Sequence, residues 1–180
     1  MARRELDFYK THQGLTRKLL ETVSISGKTL ECCAGDGAIA NIIPTNLVWT
    51  NDINPNHNCD YSLDATKPES WQQFPKVDWV ITNPPFSNAL GILDLAYQHA
   101  DVGVAFLLRL SFIEPAGVRA GYRNEWLKAH KQNFSNLIVF GNPRPSFTNE
   151  GSDFATVAWM VWRKNHSGRL DYEPVDDWKK

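Results

Sequence analysis

The sequence predicts an α/β protein with a largely parallel sheet, and three observations support this class. Short apolar runs alternate with segments whose apolar residues recur at helical spacing over most of the 180 residues. The last two apolar runs, 135–140 and 153–162, are joined by a Gly/Pro loop without a helix, which predicts an antiparallel pair. The second of these runs is apolar on both faces, as is typical of an interior strand.

The first half of the chain predicts three helices and three strands. Leu15, Leu19 and Leu20 share helical spacing and predict a helix over 11–22. Between two strand-like runs, GAIANII predicts a helix that Pro44 should end, because proline cannot continue a helix. The predicted strands are KTLECC, NLVWTND and, more weakly, CDYSLD, and the third helix is PESWQQF.

The second half predicts two helices and four strands. VDWVIT is the clearest strand, and the apolar spacing from Phe86 to Ala100 predicts the helix that follows it. VGVAFLLRL predicts the next buried strand. Val118, Tyr122 and Trp126 lie four residues apart and predict an amphipathic helix over 118–131. The two runs of the antiparallel pair follow, and the acidic tail DYEPVDDWKK is predicted to be loosely held.

Bulk composition is that of an ordinary globular protein, with 42% hydrophobic and 22% charged residues and a net charge of −1. We expect a single domain over 1–180, which is long enough to bury a core. No apolar run reaches the length of a membrane span, and MARRELDFYK lacks the apolar segment of a signal peptide. Three cysteines without CxxC spacing favour neither disulfides nor zinc, so we expect a cytoplasmic protein without a metal.

Polar residues follow successive predicted strands, at the carboxyl ends where open α/β sheets bind their ligands. Gly35 and Gly37 follow the first strand, where the absence of side chains lets a ligand approach the backbone. Asp52 ends the second strand, where a carboxylate commonly holds ribose hydroxyls. Asp64 follows the third, and ITNPPF, residues 81–86, closes the fourth. The prolines of ITNPPF hold Asn83 in an extended conformation with its carboxamide beyond the strand.

Each of these features also has a purely local interpretation. The glycine pair forms a tight turn in many proteins, and Asp52 is a common turn residue. Asp64 and Asn83 could cap helices, and Phe86 could pack in the core. The five histidines are scattered and are expected at the surface or at helix caps. The position of all four strand-end features on one edge of one sheet favours a common binding site.

The segments LECCAGDGAIA, NDINP, DAT and NPPF, in this order, resemble the S-adenosylmethionine-dependent amino-methyltransferases, in particular the adenine-N6 DNA methyltransferases. FYKTHQGL resembles the N-terminal cofactor segment of that family, and RNEWL and RPSF resemble its short phage-type or prophage-type members. The resemblance covers roughly residues 7–164 and implies a Rossmann-like class I methyltransferase sheet. Cys33 stands where the family's first motif often has glycine or another small residue. A separate target-recognition domain is not expected.

The resemblance implies S-adenosylmethionine as cofactor and gives a role to each residue at the strand ends. Glu31 would hold the methionine amino group, Asp52 the ribose hydroxyls and Asp64 the adenine amine. Asn83 and the carbonyl of Pro84 would accept the two hydrogens of the target amine. The implied cofactor-binding set is Glu31, Cys33, Ala34, Gly35, Gly37, Asp52, Ile53, Asp64, Ala65 and Asn83, and the implied catalytic set is Asn83, Pro84, Pro85 and Phe86.

The NPPF segment is specific for methylation of a planar nitrogen and less specific for which nitrogen is methylated. From Arg109 to Arg144 six basic residues face two acidic ones, a net charge of +4 that favours a polyanionic substrate. DNA is therefore expected first, RNA second and a protein glutamine third, and a catalytically silent cofactor-binding module is the alternative from another class. The predicted substrate-contacting segments are 111–131 and 141–152, with Arg119, Arg123 and Arg144 as the contacts.

Overall fold

The computed structural model describes residues 10–45, 47–114, 121–145 and 155–179. The described helices are α1 (Gln13–Thr22), α2 (Pro68–Trp71), α3 (Ala89–His99) and α4 (Gly121–Ala129). The described strands are β1 (Thr29–Glu31), β2 (Val48–Thr50), β3 (Trp79–Thr82), β4 (Gly103–Arg109), β5 (Phe134–Phe140), β6 (Val157–Arg163) and β7 (Asp171–Val175). Val118, Arg119 and residues 146–152 of the predicted segment 141–152 lie outside the described residues.

The strands form one sheet in the order β2-β1-β3-β4-β6-β5-β7. β6 pairs antiparallel with both β4 and β5, and every other pairing is parallel. The predicted antiparallel pair and the interior position of β6 are therefore confirmed. The chain leaves β1 toward β2 on one side and returns to β3 on the other, so a crevice opens between the carboxyl ends of β1 and β3.

Apolar side chains cover both faces of the sheet, because successive residues of a strand point to opposite sides. On one face Val80 and Phe106 pack with the apolar residues of α2, α3 and α4. On the other face Ile81 and Leu107 pack with Leu15 and Leu19 of α1. The central strands β1, β3, β4 and β6 are buried apart from the arginines that end β4 and β6, and this packing positions the strand ends.

The predicted helix at 37–43 is wrong. The chain forms turns over this stretch and only a short 3₁₀ helix at Ala40–Ile42. Gly37 has a φ of +75°, outside the helical region, and Pro44 stands only a few residues later. Too few residues remain between them to repay the cost of starting an α-helix.

The weak third strand at 59–64 is reduced to one isolated bridge between Asn51 and Tyr61. The carboxylate of Asp60 accepts hydrogen bonds from the amide (2.8 Å) and the hydroxyl (3.0 Å) of Thr50. The Thr50 amide of β2 therefore donates to this side chain and not to the backbone of a neighbouring strand, so the ladder between β2 and residues 59–64 does not extend further.

The acidic tail is ordered, contrary to the prediction. β7 pairs in parallel with β5 along five residues, from Asn136–Asp171 to Phe140–Val175. Trp178 is only 2% exposed, and its indole N–H donates to the carbonyl of Pro143 at 2.6 Å. The tail is anchored by this one large ring and by the ladder, although most of its side chains face solvent.

α3 begins later than the spacing predicts, and the aromatic face predicted for α4 is buried only in part. α3 starts at Ala89 with Asn88 at its N-cap, and the residues from Pro85 to Asn88 form a turn closed by a hydrogen bond from the Asn88 amide to the Pro85 carbonyl (3.0 Å). In α4 Trp126 is buried, but Tyr122 is 58% exposed and donates its hydroxyl proton to Asp94. The predicted aromatic face of α4 is therefore only partly buried. None of the helices in the described ranges has the length and apolar character needed to cross a membrane.

Candidate functional site

The predicted strand-end residues lie along one edge of the sheet. β1, β2 and β3 run parallel, and Glu31 is in register with Thr50. The loops that begin at Cys32, Asn51 and Asn83 therefore leave the sheet on the same side. The structure brings together the residues that the sequence placed at the carboxyl ends, and we call this edge the carboxyl rim.

Asp52 holds the glycine loop against the end of β2. One of its carboxylate oxygens, Oδ2, accepts the amide of Gly35 at 2.8 Å, and the other, Oδ1, accepts the amide of Asn54 at 2.9 Å. The bond to Asn54 confirms the local turn interpretation for one oxygen. Each carboxylate oxygen has two lone pairs, so each retains acceptor capacity for a ligand hydroxyl.

Gly35 and Gly37 both have positive φ angles, +53° and +75°. Residues with a Cβ rarely adopt this conformation, so glycine is needed at both turns. The Gly37 amide donates to the carbonyl of Ala34 at 2.8 Å, and the Ala34 amide donates to Asn51 at 2.8 Å. These bonds form a tight loop in which the backbone can approach a ligand closely.

Glu31 is almost completely buried, with 1% of its surface exposed, and accepts the amide of Ala40 at 2.7 Å. Burial raises the pKa of this carboxyl well above its usual range, against the opposing effect of the Ala40 amide. Cys33 lies half-buried in the same loop, and its hydrogen bond with Cys32, together with burial, raises the pKa of its thiol well above its usual range. A thiol held protonated is a poor nucleophile. The Cys33 side chain packs against the apolar core.

Asp64 lies in the loop after the Tyr61 bridge, and its carboxylate bonds to its own loop rather than capping a helix. Oδ1 accepts both the amide (2.9 Å) and the hydroxyl (2.6 Å) of Thr66, while α2 has Lys67 at its N-cap. The Thr66 hydroxyl holds the pKa of this carboxyl below its usual value, so Asp64 is a charged acceptor. Among the described residues none donates to its second oxygen, Oδ2. The neighbouring Ala65 is buried, and Ile53 is 53% exposed on the rim.

Asn83 follows β3 directly, and its carboxamide donates from Nδ2 to the hydroxyl of Thr11 at 3.1 Å. The nitrogen side of the carboxamide is thereby turned toward Thr11 and the oxygen side away from Thr11. The helix-cap interpretation of Asn83 is wrong, because the N-cap of α3 is Asn88.

Pro84 is buried, and Pro85 and Phe86 are half-buried. The Phe86 ring packs against the cores on both faces of the sheet, so the core interpretation holds for part of its surface. The guanidinium of Arg109, at the carboxyl end of β4, lies 4.9 Å from the centroid of this ring. An arginine at this distance makes a cation–π contact and holds the ring and the charge together.

The basic candidates lie in different surroundings. Arg144 is exposed in the loop after β5, which lies at the carboxyl rim because β5 runs parallel to β4. Arg123 is half-buried, donates to the Glu114 carbonyl at 3.2 Å and lies 5.8 Å from the ring of Phe112. Its guanidinium is thus partly engaged by the preceding loop.

Three residues at the rim were missed by the sequence analysis. Thr11 binds Asn83, and Arg109 was counted in the basic segment without a role. Asn51 is fully buried and ties two loops together: its Nδ2 donates to the carbonyls of Cys32 (2.8 Å) and Leu63 (3.0 Å). Only Asn51 had a local signal, its place beside Asp52.

Two of the histidines were also checked against their predicted positions. His12 caps α1, with Nδ1 accepting the amide of Gly14 at 3.1 Å, as expected for a capping histidine. His99 is buried and bonds to the carbonyl of Pro75 at 2.8 Å, so its predicted surface position is wrong. In the described part of the chain no group of three His, Cys, Asp or Glu side chains is arranged to hold a metal ion.

Comparison with known proteins identifies the fold. No family model matches the sequence, and no curated protein matches it. The structure is similar to the methyltransferase subunit of a type I restriction-modification system from Streptococcus thermophilus, with a TM-score of 0.66 and 15% identity over 93% of this chain and 47% of that one. It is also similar to the M protein of the type I restriction enzyme EcoKI, with a TM-score of 0.65 and 11% identity over 93% of this chain and 48% of that one.

A third similar structure is the precorrin-6y C5,15-methyltransferase from Geobacter metallireducens, with a TM-score of 0.57 and 14% identity over 88% of this chain and 93% of that one. The chain spans about half the length of the two restriction-system proteins. The shared architecture confirms the predicted fold, a Rossmann-like class I methyltransferase sheet. At these identities the likeness extends to the fold alone, since one fold supports many chemistries.

Proposed function

We propose that this protein transfers a methyl group from S-adenosylmethionine to the exocyclic N6 amine of adenine in DNA. The observation that carries the proposal is the placement of the Asn83 carboxamide on the same rim as the glycine loop held by Asp52. The first can bind a planar amine, and the second can bind a nucleoside. Their proximity on one sheet is what a methyl transfer between the two requires.

The residues of the rim suit this cofactor. Asp52 retains acceptor capacity for two ribose hydroxyls, and Oδ2 of Asp64 can accept from the adenine amine. Gly35 and Gly37 leave the backbone open to the ligand, and the exposed side chain of Ile53 can cover the adenine ring. When bound, S-adenosylmethionine supplies an electrophilic sulfonium methyl group.

The chain's own residues would prepare the amine. The lone pair of an exocyclic purine amine is delocalised into the ring, which makes the nitrogen a weak nucleophile. Two acceptors bound to its hydrogens, the Asn83 Oδ1 and the Pro84 carbonyl, favour a pyramidal nitrogen with a localised lone pair. As the new N–CH3 bond forms and the sulfonium C–S bond breaks, the amine becomes positively charged, and it can then lose one proton to solvent, so no strong base is required. The remaining requirement is alignment, and positioning alone can lower a barrier by roughly 7–11 kcal/mol at best.

Phe86 and Arg109 support a nucleic-acid substrate. Phe86 follows the two prolines and would stack on a base that is flipped out of the helix or already single-stranded. The base would take the place of the Arg109 guanidinium, which lies 4.9 Å from the ring centroid, and the displaced guanidinium could then bind a phosphate of the same nucleotide. A peptide substrate would not need that charge. The restriction to DNA, and the likeness to short phage-type members, rest on the sequence resemblance.

Incubation with methyl-labelled S-adenosylmethionine tests the substrate class. We expect the label to enter DNA, and nucleoside digestion to recover it as N6-methyladenine. RNA and ribosomal protein are offered in parallel, with Asn83→Ala as the control for chemistry at this site. Label in RNA or protein would replace DNA as the substrate. An absence of label from all three pools would overturn the proposed methyltransferase activity and favour a catalytically silent cofactor-binding module.

The salt dependence of DNA binding tests the rim as the nucleic-acid surface. Arg144→Ala is expected to lower the slope of log affinity against log salt by about one unit, because one phosphate contact is lost. The measurement is fluorescence anisotropy of a labelled oligonucleotide over a series of salt concentrations.

The matched control is Arg169→Ala. Arg169 is exposed just before β7. Because β7 runs parallel to β5, Arg169 lies at the amino ends of these strands, on the side of the sheet opposite the carboxyl rim. It should leave the slope unchanged. Equal slopes for wild type and Arg144→Ala would place the DNA path away from this loop.

A further inference from the structure

The N-terminal segment before α1 reaches across the carboxyl rim and contacts both halves of the candidate site. Lys10 forms a salt bridge with Asp36 of the glycine loop at 3.1 Å. The next residue, Thr11, accepts the hydrogen bond from Asn83 on the far side of the crevice. Two adjacent residues therefore connect the loop after β1 with the segment after β3.

The C-terminal tail packs against this segment. The ring of His12 packs edge-on against Trp178 with 5.0 Å between the ring centroids. A Cβ at Gly14 would collide with the carbonyl oxygen of Trp178, so only glycine allows this close approach. Trp178 is itself bonded to Pro143. Thr11 is only 5% exposed and lies between the salt bridge of Lys10 and the packing of His12 on Trp178.

We infer that Thr11 is a positioning residue that orients the Asn83 carboxamide for methyl transfer. The inference rests on the proposed function. A carboxamide has a donor end and an acceptor end, and rotation by 180° about its terminal bond exchanges them. In the structure the Thr11 hydroxyl accepts from Nδ2, and this bond holds the carboxamide with Oδ1 directed away from Thr11. Oδ1 is the end that must accept a hydrogen from the target amine.

Thr11→Val tests this role, because valine keeps the shape of threonine and removes the hydroxyl. We expect kcat to fall about tenfold, the loss associated with one hydrogen bond that holds a reacting group. KM for DNA and the Kd for S-adenosylmethionine should stay near their wild-type values. Because Thr11 lies in FYKTHQGL, the segment that resembles a cofactor segment, a loss of cofactor affinity that accounts for the fall in rate would overturn the positioning role. Thr11→Ser restores the hydroxyl and should restore kcat.

Thr16→Val is the matched control for the change in chemistry. Thr16 is also buried, on α1, and its hydroxyl has no hydrogen-bond partner among the described residues. It should leave kcat unchanged. A second readout is independent of turnover: the side-chain amide signals of Asn83 in a ¹⁵N correlation spectrum, assigned by their loss in Asn83→Ala. They should shift in Thr11→Val and remain in place in Thr11→Ser and Thr16→Val.

Wild-type kcat in Thr11→Val, or unshifted Asn83 amide signals, would overturn the role of Thr11 while leaving the proposed function standing. A loss of kcat that Thr11→Ser does not restore would also overturn it. A wild-type protein that methylates no nucleic acid would overturn the proposed function, and the role of Thr11 with it. The Asn83 signals would then still report whether the hydrogen bond exists in solution.

Discussion

Asn83→Ala is expected to reduce the rate of methyl transfer by about a hundredfold or more, by analogy with loss of one transition-state hydrogen-bonding group. The substitution removes the acceptor for one amine hydrogen together with the bond to Thr11. Because the carboxamide acts on the nucleophile, the Kd for S-adenosylmethionine should stay nearly unchanged. Single-turnover kinetics with labelled cofactor, and calorimetry for cofactor affinity, measure the two quantities separately.

Asn88→Ala is the matched control for this substitution. Asn88 lies in the turn that begins two residues after Asn83, is exposed, and makes no side-chain hydrogen bond as the N-cap of α3. Its replacement should leave the rate of transfer close to wild type. A near wild-type rate in Asn83→Ala would remove the carboxamide from the mechanism. A rate loss accompanied by an equal loss of cofactor affinity would make Asn83 a cofactor-binding residue only.

The strands could be predicted where burial alone decides the structure. β3, β4 and β6 are apolar up to their last residue because both faces of the sheet are covered, and such runs are visible in the sequence. The tail was mispredicted for the opposite reason. β7 is an edge strand with one buried residue, Val175, and its order comes from pairing with β5 and from the anchor at Trp178. Neither contact has a signature in local composition.

The helix predicted at 37–43 and the strand predicted at 59–64 do not form, and side-chain hydrogen bonds are found in their place. The Asp60 carboxylate binds Thr50 where a third strand would have paired, and the Glu31 carboxylate binds the Ala40 amide where a helix was predicted. Local periodicity does not reveal such bonds. Tertiary context then decides between a marginal helix and a turn.

In the candidate site, too, some residues could be predicted from the sequence and their contacts could not. Asp52, Asp64 and Asn83 could be proposed because each directly follows a strand or apolar run, and parallel strands deliver their ends to one edge. The hydrogen bond between Asn83 and Thr11 could not be proposed, since the two residues are 72 positions apart in the sequence. The contact between Arg109 and Phe86 likewise depends on the pairing of β3 with β4, which fixes the relative positions of the two strand ends.

Asp52→Ala is expected to weaken binding of S-adenosylmethionine by roughly 1–3 kcal/mol, the usual cost of losing a charged hydrogen-bond partner. This corresponds to a loss of about fivefold to somewhat over a hundredfold in Kd. Two effects combine: the ribose hydroxyls lose their acceptor, and the Gly35 amide loses the carboxylate that holds the glycine loop. Isothermal calorimetry with the cofactor measures the change, and thermal unfolding reports whether the loop is still folded.

Two further variants separate these effects. Asp52→Asn keeps the size of the side chain and one acceptor oxygen but removes the charge, so it should lose less affinity than Asp52→Ala. Asp60→Ala removes a carboxylate that binds only Thr50, on the outer side of β2, and should change stability without changing cofactor affinity. Wild-type affinity in Asp52→Ala would exclude the ribose assignment. Equal affinity losses in Asp52→Ala and Asp60→Ala would indicate that Asp52 acts through the local structure around β2, because Asp60 binds only Thr50 and is not assigned a ligand contact.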